Sequence, residues 1–230
     1  MAYQTPSYKR KVIAAFSSIS NCNFGQKFSS EKEANGSATR DVNTTITGTG
    51  AVNEFINQNK ENWEVVWGPV TDNSQAQCKW HTDNTMYVVK TDSFKEEGGT
   101  TYPLYVVAIA GTNAISTKGW LKEDLNVWHR AHWGKNGHGK ISGGTDFGLN
   151  ELKRMEANGI TLLQFFQDLS LTKENKPYEI AVCGHSLGGA LSPVMALWLR
   201  EQFPKQIKVC LLYTSPSPRD RTRSRMPSSA

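Results

Sequence analysis

The architecture of this chain is written most plainly in residues 178–189, YEIAVCGHSLGG. Residues 178–183 (YEIAVC) form a short apolar run of the kind found in buried strands, and Leu187–Gln202 carries a helical pattern. Between them lies the glycine-flanked turn Gly184-His185-Ser186-Leu187-Gly188-Gly189. A serine hydroxyl is a poor nucleophile unless it is exposed, aligned and deprotonated by a neighbour. A G-x-S-x-G turn between strand and helix holds the serine in a strained, accessible position, and Gly184 and Gly188 let the backbone fold tightly. The helix N-terminus then points its amides at a developing oxyanion. An incidental glycine turn is the competing reading, and the strand and helix on either side weigh against it.

Upstream, residues 104–110 (LYVVAIA) are continuously apolar, as expected of a strand buried on both faces, and end at Gly111-Thr112-Asn113. An oxyanion hole needs a second donor from a turn after an earlier strand, and Thr112 stands where that donor belongs. Residues 63–67 (WEVVW) read as a strand stopping at Gly68-Pro69, and residues 86–90 (MYVVK) as another. Residues 119–127 suggest a short helix, and residues 128–144, with three histidines and five glycines, a loop. A helix over 145–157 stops at Asn158-Gly159. In the next helix, Thr161 and Gln164 have capping-box spacing ahead of Phe165, Phe166 and Leu169. Ile207–Tyr213 looks like a last strand. Strands alternating with helices predict an α/β fold with a mostly parallel sheet.

Composition narrows the function classes. An apolar fraction of 38% suits a folded domain, and no stretch approaches the roughly 20 apolar residues of a membrane-spanning helix. The net charge is +5, but Arg219, Arg221, Arg223 and Arg225 against Asp220 put +3 of it in the last 20 residues. The nearly neutral remainder has no basic stripe, so no nucleic-acid partner is expected. Cys22, Cys78, Cys183 and Cys210 are widely spaced without a C-x-x-C pair, and Cys183 reads as a small core residue. Lys9-Arg10-Lys11 and the short apolar run behind it imitate a signal peptide weakly, without a clean cleavage site. They read as a helix start, and a cytoplasmic chain is expected.

The stretches Trp67-Gly68-Pro69, Asp83-Asn84-Thr85-Met86-Tyr87, Gly111-Thr112, Trp120 through Glu123-Asp124-Leu125, Ser142-Gly143-Gly144-Thr145 and the turn at Ser186 occur in that order. Together they resemble the class 3 (fungal-type) lipase family of α/β hydrolases. The resemblance implies an α/β-hydrolase fold and hydrolysis of lipid or acyl esters without a cofactor. It implies Ser186 as nucleophile, with the backbone amides of Leu187 and Thr112 receiving the oxyanion and the Thr112 hydroxyl assisting. Residues 113–128 would form a lid making transient lipid-surface contact, with Asp124 as structural support. Ala110 departs from the arginine that often precedes Gly-Thr in that family, and points to bacterial-looking relatives.

The triad of this fold runs in the order Ser, acid, His. No histidine follows Ser186, and the only later acids are Glu201 and Asp220. His185 should project away from its neighbour Ser186. His129, His132 and His138 invite a metal or a relocated base, but no third ligand is near in sequence, so a solvated or lid loop is expected and no metal. From about residue 210 the chain turns rich in Ser, Pro and Arg and looks like a translated adapter. The expected organisation is therefore a polar and helical N-terminal extension (1–50), a truncated hydrolase domain (51–209) and a foreign-looking tail (210–230). The acid and histidine would lie in a lost segment, leaving this polypeptide nearly inactive and poorly soluble. A phospholipase A1, thioesterase or peptidase on the same fold remains open, as does a non-catalytic hydrolase-like binding module.

Overall fold

A computed structural model describes residues 7–21, 26–58, 60–72, 80–81, 84–95, 101–111, 130–133, 139–172, 178–204 and 207–213. Five strands form the central sheet: β2 (Glu64–Asp72), β4 (Asn84–Lys95), β5 (Thr101–Ile109), β10 (Tyr178–Gly184) and β11 (Ile207–Tyr213), in the order β11-β10-β5-β4-β2. β10 pairs parallel with β5 and β11, whereas β4 pairs antiparallel with β5 and β2. The described sheet is thus mixed, and its parallel part is the part that carries the Ser186 turn.

Side-chain alternation splits the core into two layers. Tyr105, Val107 and Ile109 of β5 and Tyr178, Ile180 and Val182 of β10 face one cluster, together with Met86 and Val88 of β4. Helices α4 (Gly143–Arg154), α5 (Leu162–Thr172) and α6 (Leu187–Gln202) supply the rest, through Leu149, Phe166 and Leu199 among others. Leu104, Val106 and Ala108 of β5 and Ala181 and Cys183 of β10 face the opposite cluster. There α1 (Tyr8–Ile19) lays Val12, Ile13 and Phe16, all fully buried, against the sheet. The small side chains of Ala108, Ala181 and Cys183 let this helix approach closely. α2 (Glu31–Thr47) buries Ala34, Ala38, Val42 and Ile46, one residue per turn, and α3 (Ala51–Ile56) buries Ile56.

Local chemistry sets the helix ends. The Ser30 hydroxyl accepts from Glu33 N at 3.3 Å, and the Glu33 carboxylate accepts from Ser29 N at 2.9 Å. The Thr161–Gln164 capping box forms as expected: Gln164 Oε1 accepts from Thr161 N at 2.9 Å, and Thr161 Oγ1 accepts from Gln164 N at 3.3 Å. Within α6, Pro193 has no N–H for the Gly189 carbonyl, and Ser192 Oγ donates to that oxygen instead at 3.1 Å.

Three sequence expectations change. β2 does not stop at Gly68-Pro69: its register shifts between Val65 and Trp67 and again between Trp67 and Val70, and pairing with β4 then resumes to Asp72. A bulge absorbs the glycine and proline where a strand end was expected. The stretch expected as loop contains an antiparallel pair, β6 (Arg130–Trp133) with β7 (Gly139–Ser142). The helix expected over 145–157 ends at Arg154, and a two-residue hairpin follows, β8 (Glu156–Ala157) with β9 (Ile160–Thr161), turning at Asn158 and Gly159, both with positive φ. β1 (Lys27–Phe28) pairs with β3 (Trp80–His81) apart from the main sheet. β11 runs to Tyr213, through the position where the composition changes.

Candidate active site

The last paired residues of β10 and β5 are Gly184 and Ile109, in register with each other, so the two strands end side by side. Beyond them the chain turns twice at the same level. One turn carries His185 and Ser186 into α6, and the other carries Ala110 and Gly111 away from β5. The sheet hydrogen bonding continues one step into the turns, with His185 N donating to the Ile109 carbonyl at 3.2 Å.

Ser186 occupies φ 53° and ψ −118° immediately before α6. A side chain at this backbone geometry is strained and persists only where the surroundings over-determine it. The constraint is visible at the glycines on either side. A Cβ on Gly184 would overlap the Gly188 carbonyl, and a Cβ on Gly188 would overlap the carbonyl oxygens of Ile109 and Ala110. Strand end and helix start are thus pressed together, and the turn between them has one path. His185 and Ser186 are exposed, Leu187 is half-buried, and Gly188 and Gly189 are buried. The Ser186 hydroxyl therefore stands at the surface over a helix N-terminus, whose first amides have no partner within the helix.

The opposite turn is held on both sides. Ala110 N donates to the Thr85 carbonyl of β4 at 2.8 Å, and Gly111 N donates to Asn21 Oδ1 at 3.0 Å. Of the residues singled out in the sequence, Ser186, Leu187, Gly184, Gly188 and Gly111 are thus brought together. Thr112, Asp83, Asp124 and the lid stretch 113–128 lie outside the described residues, as do His129 and His138. His132 lies on β6, paired in register with Lys140. Among the described residues no group of three His, Cys, Asp or Glu could hold a metal ion. Ser142-Gly143-Gly144-Thr145 caps a helix: Ser142 Oγ accepts from Thr145 N at 3.2 Å ahead of α4. Cys183, fully buried behind the serine turn, has its thiol pushed well above the usual range by desolvation.

Two partners of this turn are not legible in the sequence, Asn21 and the Thr85 carbonyl. Asn84-Thr85 stands out only as part of a family-like stretch, and nothing in the sequence around Asn21 announces a partner 90 positions away.

Residues 106–223 match the model of a family described as Lipase (class 3). Among solved structures, M37 lipase is similar at 28% identity and a TM-score of 0.66, over 88% of this chain and 58% of that one. A mutant form of MDLA from Penicillium cyclopium aligns over 88% of this chain and 59% of its own, at 16% identity and a TM-score of 0.42. The chain thus spans a little under three-fifths of the length of these structures. No curated protein matches its sequence.

Proposed function

We propose that this chain, which belongs to the class 3 lipase family, carries the nucleophile and oxyanion side of a serine carboxylic-ester hydrolase acting on lipid or other acyl esters. Ser186 Oγ attacks the ester carbonyl, the alcohol leaves with a proton, and water releases the acyl group from the acyl-serine. The amides of Leu187 and Thr112, with the Thr112 hydroxyl, take the negative charge of the tetrahedral intermediate. The observation that carries this reading is the exposed Ser186, held at φ 53° between β10 and α6 and directly beside the turn after β5.

The 230 residues contain no histidine after Ser186. Without a base, a serine hydrolase keeps only the rate gained from binding and the oxyanion hole, on the order of 10³-fold over water. The polypeptide is therefore nearly inactive on p-nitrophenyl esters. Assaying p-nitrophenyl butyrate with the chain and with Ser186→Ala tests this, and rapid turnover that vanishes in the variant would contradict it. We place it in the cytoplasm, with transient lipid-surface contact through residues 113–128.

The alternative reading is a non-catalytic hydrolase-like binding module on the same fold. A covalent fluorophosphonate adduct on Ser186 counts against it.

A further inference from the structure

We propose that Asn21, just beyond the C-terminal end of α1, is a positioning residue for the oxyanion side of the site, and that α1 is thereby coupled to the chemistry at Ser186. This rests on the ester-hydrolase reading. α1 is tied to the sheet along its length. Near its start, Lys9 Nζ meets Glu179 Oε1 of β10 at 2.6 Å and the Tyr102 hydroxyl of β5 at 2.9 Å. Near its end, the buried Tyr87 hydroxyl of β4 donates to the Phe16 carbonyl at 2.8 Å. The helix thus lies along β5 and β10 from their first residues toward their last, and brings Asn21 to the Ser186 end of the sheet.

There Asn21 does something no packing residue could do. Its Oδ1 accepts the amide proton of Gly111, while the preceding amide of Ala110 is bound to Thr85 on the other side. Two consecutive amides fixed by different elements hold the Ala110–Gly111 peptide beside the Ser186 turn, one residue before Thr112, the proposed second oxyanion donor. Gly111 also has no room to drift toward the nucleophile, because a Cβ there would sit 2.9 Å from Ser186 Cβ and from the His185 carbonyl oxygen. Removing Asn21 frees one of the two tethers and lets the Ala110–Gly111 peptide rotate, which shifts the chain entering the proposed donor. Oxyanion donors lose much of their effect when displaced by an ångström or less.

Phenylboronic acid tests this without requiring a general base. Its trigonal boron accepts a lone pair from Ser186 Oγ, the hydroxyl proton passes to solvent, and the tetrahedral boronate sets an oxygen in the oxyanion position. Wild type should bind it and Ser186→Ala should not, while Asn21→Ala should weaken binding about tenfold. In protein labelled with 15N-glycine, the Gly111 amide should be protected from exchange in wild type and shift and lose protection in Asn21→Ala. Asn21→Asp, which offers the same acceptor, should restore the Gly111 signal. A wild-type Gly111 amide exchanging like a fully solvated one, or an unchanged Gly111 signal in Asn21→Ala, overturns the proposal whatever Ser186 does. A shifted Gly111 with unchanged boronate affinity also overturns it, making Asn21 a fold contact alone. Equal boronate affinity in wild type and Ser186→Ala instead brings down the ester-hydrolase reading, and the proposal with it. If Asn21→Ala does not fold, wild-type exchange and Asn21→Asp still decide.

Discussion

Gly111 and Ser186 meet so closely across the end of the sheet that a β-carbon on Gly111 would stand 2.9 Å from the β-carbon of Ser186. Two turns far apart in sequence thus leave room for each other only because one of them carries no side chain. Gly111→Ala should cost about 1–3 kcal/mol, since neither neighbour is a flexible side-chain end that can move aside. Gly36, inside α2, is the control, because an alanine methyl there would meet nothing within 4 Å. Gly36→Ala should stabilise by roughly 0.5–1 kcal/mol, because only helix propensity changes. Urea melts of the two variants should move in opposite directions.

The backbone at Ser186 stores strain that a glycine does not feel. Ser186→Gly should be more stable than Ser186→Ala by about 1 kcal/mol, because alanine keeps the Cβ at φ 53° and glycine removes it. Thermal denaturation of the pair isolates this from the loss of the hydroxyl, which both variants share. Equal stability would mean that the turn is relaxed.

Lys9 and Glu179 form an ion pair whose side chains are only 12% and 11% exposed. Burial alone would lower the Lys9 pKa, but the hydrogen bonds that Lys9 donates to Glu179 and Tyr102 and the charge of Glu179 outweigh it, so the pKa lies above the ordinary lysine value. The pair's stabilisation is therefore fully present below the unfolded lysine pKa and is lost as pH rises through the higher folded value. Lys9→Met, which strands a buried carboxylate, should cost ~3 kcal/mol at neutral pH. It should also flatten the alkaline fall in stability, which urea titrations from neutral to strongly alkaline pH would reveal.

Cys183 should be inert in the folded protein. Its thiol is fully buried and its pKa is raised by desolvation, so almost no thiolate forms at neutral pH. Peptide mapping after iodoacetamide treatment should find Cys183 unmodified in native protein and alkylated after unfolding in urea.

The parts of the fold legible in the sequence are those written in consecutive residues. Residues 178–189 carry strand, turn and helix chemistry in one line, and the two glycines that make the turn possible are local to it. The continuous apolar run of β5 likewise announces a strand buried on both faces, and the capping box at Thr161 marks a helix start to the residue. What escapes depends on distant partners. β2 passes Gly68-Pro69 because β4 offers pairing on the far side of the bulge, and no local signal says so. The pairing of β6 with β7 joins segments whose side chains alternate too weakly over four residues to mark a strand. Asn21 matters through a hydrogen bond to Gly111, a contact made only once α1 has docked on the small side chains of Ala108, Ala181 and Cys183.

Ser186 is the proposed nucleophile, held at φ 53° before α6, although no histidine follows it in this chain. Prolonged incubation with an alkyl fluorophosphonate at mildly alkaline pH, followed by tandem mass spectrometry, tests that claim most directly. Ser186 should be modified slowly and stoichiometrically, faster than any other serine, and the adduct should be absent in Ser186→Ala. A wild-type chain that acquires no adduct at Ser186, or labels other serines equally, would contradict it.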